Sequence, residues 1–370
     1  MSQLTKKRIG FVMEQTLGHV THDKNLREWT GLREDVEPIW MSVPPHADDR
    51  YEKMPIVSGN WTLKASFRAR ELLKPVVARN SIEGLFFHTQ VTALLSTGLV
   101  KRIPTVVSLD ATPINVDTLG AAYNQTPSKI GALEAFKNRL NRRTFTSASH
   151  LITWCDWAKQ SLISDYGISG DKITVIPPGI DLKKWEFDRT KKRSGAVRLL
   201  FVGGDFKRKG GELLLKAFKN GKWGNCELDI VTREEVDTRG LKGVRIHHGL
   251  NSNAPKLMEL YANADVFIFP TLGDCLPIAV MEGMAAQLPV VATNVGAISE
   301  EVTDGVTGRL VKPGDLDGFV AAVGQIVENR DLRETMGRAG RSVAEVKFSG
   351  ERNYNQVLDL ILRIASGHHG

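Results

Sequence analysis

Residues 197–218 read VRLLFVGGDFKRKGGELLLKAF. The run LLFV has the length and apolar character of a strand buried on both faces, as in parallel sheets. Gly203–Gly204 and Gly210–Gly211 bracket a polar turn, and ELLLKAF continues with helical spacing. Glycines let the backbone come close to a ligand, and a helix start offers unbonded N–H groups and a positive dipole end. Lys207, Arg208 and Lys209 add positive charge, so the turn has the makings of a diphosphate cradle. Its spacing matches neither GxGxxG nor GxxxxGK[ST], which argues against ATP hydrolysis. From this loop alone, a solvated turn with incidental lysines remains open.

The same design opens the chain. KRIGFVM, residues 7–13, is a second apolar run leading into a loop that holds Gly18. Further strands are expected at Gly84–Phe87, Thr105–Leu109, His150–Trp154, Lys172–Ile176, Glu227–Val231, Val244–His247, Val266–Phe269 and Pro289–Ala292. They alternate with helical segments and show no hairpin signals, so parallel sheets covered by helices are expected. At roughly 100–200 residues per domain, 370 residues make two such units. IPPG at 176–179 is a breaker cluster, and EFDRTKKRSG at 186–195 lacks any apolar period. The expected domains are therefore 1–185 and 190–345. A last amphipathic helix, 348–368, needs a surface to cover and is expected to pack back on the first domain.

Composition narrows the classes. Apolar residues make up 42% and charged residues 25%, which excludes disordered, collagen-like and coiled-coil chains. The longest uncharged stretch, GLFFHTQVTALLSTGLV at 84–100, is broken by His88, Gln90 and three threonines, so no spanning helix is expected. The N-terminal run IGFVM is too short for a signal-peptide core. Cys155, Cys226 and Cys275 are isolated and odd in number, with no CxxC. That pattern fits a reducing cytoplasm. Net charge is +7, of which +5 lies in residues 1–190. A mild basic balance suits nucleotide phosphates, anionic lipid or nucleic acid and does not choose among them. No nucleic-acid-binding motif is present, so no such partner is expected.

A second motif, DCLPIAVME at 274–282, follows the strand VFIFP and the turn TLG. Asp274 falls at the carboxyl end of a strand, where open α/β sheets place ligands. Glu282, inside the next helix, could accept hydrogen bonds from sugar or ribose hydroxyls. Helix capping by Asp274 with a solvated Glu282 is the plainer alternative.

Together, VFIFPTLGDCLPIAVMEGMAAQLPVVATNVGAISEEVTDGVTGRLVKPG (266–314) resembles the C-terminal domain of family 4 glycosyltransferases. These have the GT-B fold, two Rossmann-like doubly wound domains facing across a cleft. Their pattern of two glutamates separated by seven residues, a helix like EAMAxGxPVVA, a GGxxE loop and GxxGxLVxPxD corresponds here to Asp274 (one methylene shorter than the family's first Glu), Glu282, GMAAQLPVVA, Gly296–Glu300 and Gly305–Asp315. The resemblance extends over most of residues 150–345 and weakens toward the N-terminus.

The resemblance implies roles. Glu282 would hold the ribose hydroxyls of a donor nucleotide and Asp274 the donor sugar. Lys209 would bind the diphosphate, with Gly203, Gly204 and Gly18 in loops that approach it. The family often has Arg directly after the strand's Gly; Gly204 stands there, and Arg208 is the substitute expected. Gly296, Ala297 and Ile298 would lie against the donor. After the strand Thr105–Leu109 the family often has His, where this chain has Asp110. A carboxylate there could bind a sugar hydroxyl, with His19 and His88 as alternative imidazoles. The implied activity is hexosyl transfer from a nucleotide-diphospho sugar to a hydroxyl acceptor, with retention of configuration and without metal or other cofactor. A GT-B epimerase and a non-catalytic sugar-binding protein are the alternatives. Basic amphipathic stretches at 60–74 and 128–143 could touch an anionic membrane or form ordinary solvated helix faces.

Overall fold

A computed structural model describes residues 6–16, 18–79, 81–123, 131–189, 195–221 and 223–367. Lys129, positions 190–194 of the expected linker and residue 368 of the expected last helix lie outside these residues. The chain divides into two compact units, one of Met1–Asn115, Pro127–Gly179 and Gly350–Gly370, the other of Val116–Thr126 and Ile180–Ser349. The change of unit falls at the end of the IPPG cluster. The segment after it, up to the buried Trp185, is anchored in the second unit: Arg341 Nη1 donates to the carbonyls of Trp185 (2.9 Å) and Ala285 (2.8 Å).

The first unit holds six strands: β1 (Lys7–Glu14), β2 (Val36–Val43), β3 (Gly84–His88), β4 (Thr105–Leu109), β5 (His150–Thr153) and β6 (Ile173–Val175). They form one sheet in the order β2-β1-β3-β4-β5-β6. Every pairing is parallel. Alternate side chains go to opposite faces. Val12, Leu85, Phe87 and Val107 pack against Ala65, Ala69 and Leu73 of the helix Trp61–Arg79. Ile9, Phe11, Phe86 and Val106 pack against Tyr354, Val357, Leu358 and Ile361 of the helix Gly350–Ala365. The chain's last described helix thus completes its first sheet.

The second unit repeats the plan with β7 (Val197–Val202), β8 (Cys226–Val231), β9 (Val244–His247), β10 (Val266–Phe269), β11 (Val290–Thr293) and β12 (Gly308–Val311). Their order is β12-β11-β10-β7-β8-β9. Again all pairs are parallel. Leu199, Phe201, Leu228, Ile230, Val266 and Ile268 pack against Leu214, Ala217 and Phe319. A doubly wound parallel sheet in each unit is the arrangement expected of a GT-B protein.

Two strands were not among those expected, β2 and β12. Both lie at sheet edges, where one flank has no neighbour. Their burial is correspondingly mixed, and no continuous apolar run marks them.

The basic stretch 60–74 does not offer all its charge to solvent. Lys64 and Arg68 are buried, Lys64 donating to Glu52 and Arg68 to both Asp49 and Glu52. In the helix Ala132–Ser147, Phe136, Lys137, Arg139, Arg142 and Arg143 are exposed. No helix among the described residues is long and apolar enough to cross a membrane.

Candidate functional site

The glycine turn after β7 is closed by its own backbone. Lys209 N–H donates to Asp205 O (3.0 Å), Gly210 N–H to Lys207 O (3.1 Å) and Gly211 N–H to Phe206 O (2.8 Å). Gly210 has φ +78°, and a Cβ there would lie 1.8 Å from the carbonyl oxygen of Pro270. Only glycine satisfies both demands. Gly210 caps the helix Gly211–Asn220 without a side-chain hydrogen bond. With Gly211 N–H used by Phe206 O and Leu214 N–H by Gly210 O, the amides of Glu212 and Leu213 are the ones left at that helix start.

Two cations of the turn are held by the loop after β10. Lys209 donates to Asp274 Oδ2 and sits 5.0 Å from the centroid of the Phe269 ring. Burial lowers the Lys209 pKa, and the Asp274 charge opposes that shift. Arg208, 7% exposed, donates through Nε to Asp205 (3.0 Å) and through Nη1 to Gly273 O (2.8 Å). Leu272 N–H returns a bond to Arg208 O at 2.9 Å. Arg208 thus ties the two loops together, and its guanidinium is already engaged where a phosphate contact was expected. Lys209 and Asp274, 65 residues apart, are brought together as a pair.

Glu282 lies in the helix Ile278–Ala285 and is 4% exposed. Tyr261 donates its hydroxyl to Glu282 Oε2 at 2.9 Å. Burial pushes the Glu282 carboxyl up to about 7, and the tyrosine bond works against the rise. Gly296 has φ +58° and presses on the same loop, where a Cβ would meet Asp274 O at 2.0 Å. Ala297 N–H donates to Cys275 O (2.8 Å) and Ile298 N–H to Val295 O (3.2 Å), and both side chains are buried. These two residues brace the Asp274 loop, with their amides used inside the protein.

Glu301 was not foreseen. It is 1% exposed, and neither carboxyl oxygen has a hydrogen-bond partner among the described residues. Burial raises its pKa well above the usual carboxylate range, helped by the charges of Asp274 and Glu300. A buried polar group without a partner destabilises. Glu301→Leu is therefore expected to stabilise the protein by about 1–3 kcal/mol. Denaturant unfolding reads this directly; an unchanged or lower stability would mean that the carboxyl is satisfied.

In the first unit, the carboxyl ends of β1, β3, β4 and β5 carry Glu14, His88, Asp110 and Trp154. His19, at the start of the helix His19–Thr30, places Nε2 3.3 Å from Asp110 Oδ2 and Nδ1 3.7 Å from Glu14 Oε2. Burial would lower the His19 pKa, but Asp110 and Glu14 together lift it to about 9. The imidazole is thus charged at neutral pH. His88 lies stacked on Trp154 at 5.1 Å, buried, and burial holds its pKa well below the ordinary value. Its imidazole is a neutral floor, so His19 is the charged partner of Asp110. Gly18 caps the same helix, and a Cβ there would meet nothing within 4 Å. Among the described residues, no three His, Cys, Asp or Glu side chains are grouped to hold a metal ion.

Two doubly wound parallel sheets, one ending in a glycine turn backed by a Lys–Asp pair, are the units from which the GT-B fold is built. The profile described as Glycosyltransferase Family 4 matches residues 31–184, and that of Glycosyl transferases group 1 matches residues 183–343. The chain belongs to family 4 of the glycosyltransferases and is a transferase enzyme. It is 28% identical over 246 residues to a D-inositol 3-phosphate glycosyltransferase of Paenarthrobacter aurescens, covering 61% of this chain and 60% of that one. Among solved structures it is similar to sucrose-phosphate synthase from Thermosynechococcus elongatus, with TM-score 0.78, 16% identity, and coverage of 98% and 100%. It is also similar to Anabaena HepE in complex with UDP and glucose, with TM-score 0.67, 14% identity, and coverage of 96% and 99%.

Proposed function

We propose that the protein moves a hexosyl unit from a nucleoside diphosphate sugar to an acceptor hydroxyl, with retention of configuration and without a metal ion. The observation that carries this reading is Lys209, seated by Asp274 beside the Gly210-capped start of the helix Gly211–Asn220. That arrangement offers an ammonium group and helix amides to one anion.

Lys209 and those amides take up charge as the bond from the sugar C1 to the phosphate oxygen breaks, its electron pair leaving with the diphosphate. The acceptor oxygen bonds to C1 on the same face. Its proton passes to the departing phosphate oxygen, so no side-chain base is required. Glu282 accepts hydrogen bonds from the ribose, and Asp274 from the sugar. In the first unit, Asp110, with His19 Nε2 at 3.3 Å, is a carboxylate able to accept a sugar hydroxyl. The solved likeness to a protein holding UDP and glucose makes uridine nucleotides the first to try.

A thermal-shift screen of UDP, GDP and ADP and their sugars in excess EDTA tests the proposal. One nucleotide series should raise the melting temperature, since saturation at 100 times Kd adds about 2.7 kcal/mol to the native state. The sugar form of that series should release free nucleoside diphosphate in EDTA. Release that stops in EDTA and returns with a divalent ion would overturn the metal-free route.

A further inference from the structure

We infer that Arg233 is a second cation for the donor diphosphate, standing over Gly204 from the neighbouring strand. This rests on the donor reading above and adds to it a residue outside the glycine turn. Arg233 follows β8, which pairs with β7 in parallel register, Val202 opposite Val231. The pairing brings the two strand ends, and the loops that follow them, side by side. A Cβ built on Gly204 would lie 3.5 Å from Arg233 Nε and 3.6 Å from its Cδ. The arginine side chain therefore occupies the space that a larger residue at 204 would fill. Its loop is bolted to the turn, because Phe206 N–H donates to Glu234 Oε1 at 2.8 Å.

The charges around the turn explain why an additional cation matters. Arg208 is engaged by Asp205 and by Gly273 O, and Lys209 by Asp274. Arg233 is exposed and has no hydrogen bond or ion pair among the described residues. Glu234, its acidic neighbour, already accepts from Phe206. A guanidinium presents a planar fork that meets two phosphate oxygens at once. Placed over Gly204, it stands on the flank of the turn next to the strand end, with the helix start on the other.

Calorimetric titration of UDP, GDP and ADP tests this on wild type, Arg233→Ala, Arg233→Lys and Arg233→Ala combined with Gly204→Arg. Arg233→Ala should raise Kd for the tightest nucleotide roughly 10- to 100-fold, with unchanged thermal unfolding. It should also flatten the dependence of affinity on salt, since one fewer charged contact is screened. Arg233→Lys should recover part of the loss. Gly204→Arg should recover affinity in the Arg233→Ala protein, because Gly204 has no left-handed φ and the space above it is then vacant. A Kd for Arg233→Ala within about twofold of wild type, with the same salt dependence, would overturn the inference. Wild-type protein that binds none of the three nucleotides would instead defeat the donor reading on which it stands.

Discussion

Lys209→Ala is expected to lower kcat/KM by roughly 10²–10³, the usual loss when one group that stabilises developing charge is removed. It should also destabilise the fold. Lys209 and Asp274 have side chains 15% and 12% exposed. Removing one member leaves the other charge buried, at a cost of roughly 3–5 kcal/mol. The two losses separate in a second variant. Adding Asp274→Asn removes the stranded charge, so Lys209→Ala/Asp274→Asn should regain much of the melting temperature while diphosphate affinity stays low. If affinity returned together with stability, Lys209 would be a structural partner of Asp274 and no phosphate ligand.

The second large effect belongs to Glu282. Glu282→Ala should weaken donor binding by roughly 10- to 100-fold, the range for a hydrogen bond to a charged acceptor. The pH profile tells more. The folded carboxyl titrates near 7 against an ordinary value of 4.5. A raised carboxyl stabilises the fold fully below the unfolded value and loses that contribution as pH climbs through the folded one. Stability should therefore fall between about pH 4.5 and 7, by an amount on the order of 3 kcal/mol, and Glu282→Gln should remove that slope. Donor binding runs the opposite way, because ribose hydroxyls donate to the ionised form. Affinity should rise with pH up to about 7 in wild type and less steeply in Glu282→Gln. The ligand's own phosphate titration is common to both proteins, so their difference isolates Glu282. Parallel profiles for the two proteins would remove Glu282 from the ribose.

Much of this was legible in the residues. Strands covered on both faces need unbroken apolar runs, and KRIGFVM, VVSL, LLFV and VFIF announce themselves. Edge strands do not need such runs, so VEPIWMSV and GRLV passed as connecting chain. The glycine turn and the Asp274–Glu282 spacing were visible because each is contiguous. Tyr261 beneath Glu282, and Arg233 above Gly204, were not, because only the packing of separate elements brings them together: two helices, Pro255–Asn263 and Ile278–Ala285, for the first pair and two paired strands for the second. The pairing of His19 with Asp110, 91 positions apart, is of the same kind. The charge of Arg208 was visible, but its engagement by Asp205 and Gly273 depends on how two loops close.

The helix Gly350–Ala365 has a practical consequence. It seals one face of the first sheet through Tyr354, Val357, Leu358 and Ile361, and Arg33 clasps its outer side through Asp359 and Asn355. A fragment ending at residue 179 would leave Ile9, Phe11, Phe86 and Val106 bare to water and prone to clump. Separating the two units for study thus demands two cuts of the gene, after residues 179 and 349, with the last piece rejoined to the first, or a peptide of the missing helix added back to the truncated half.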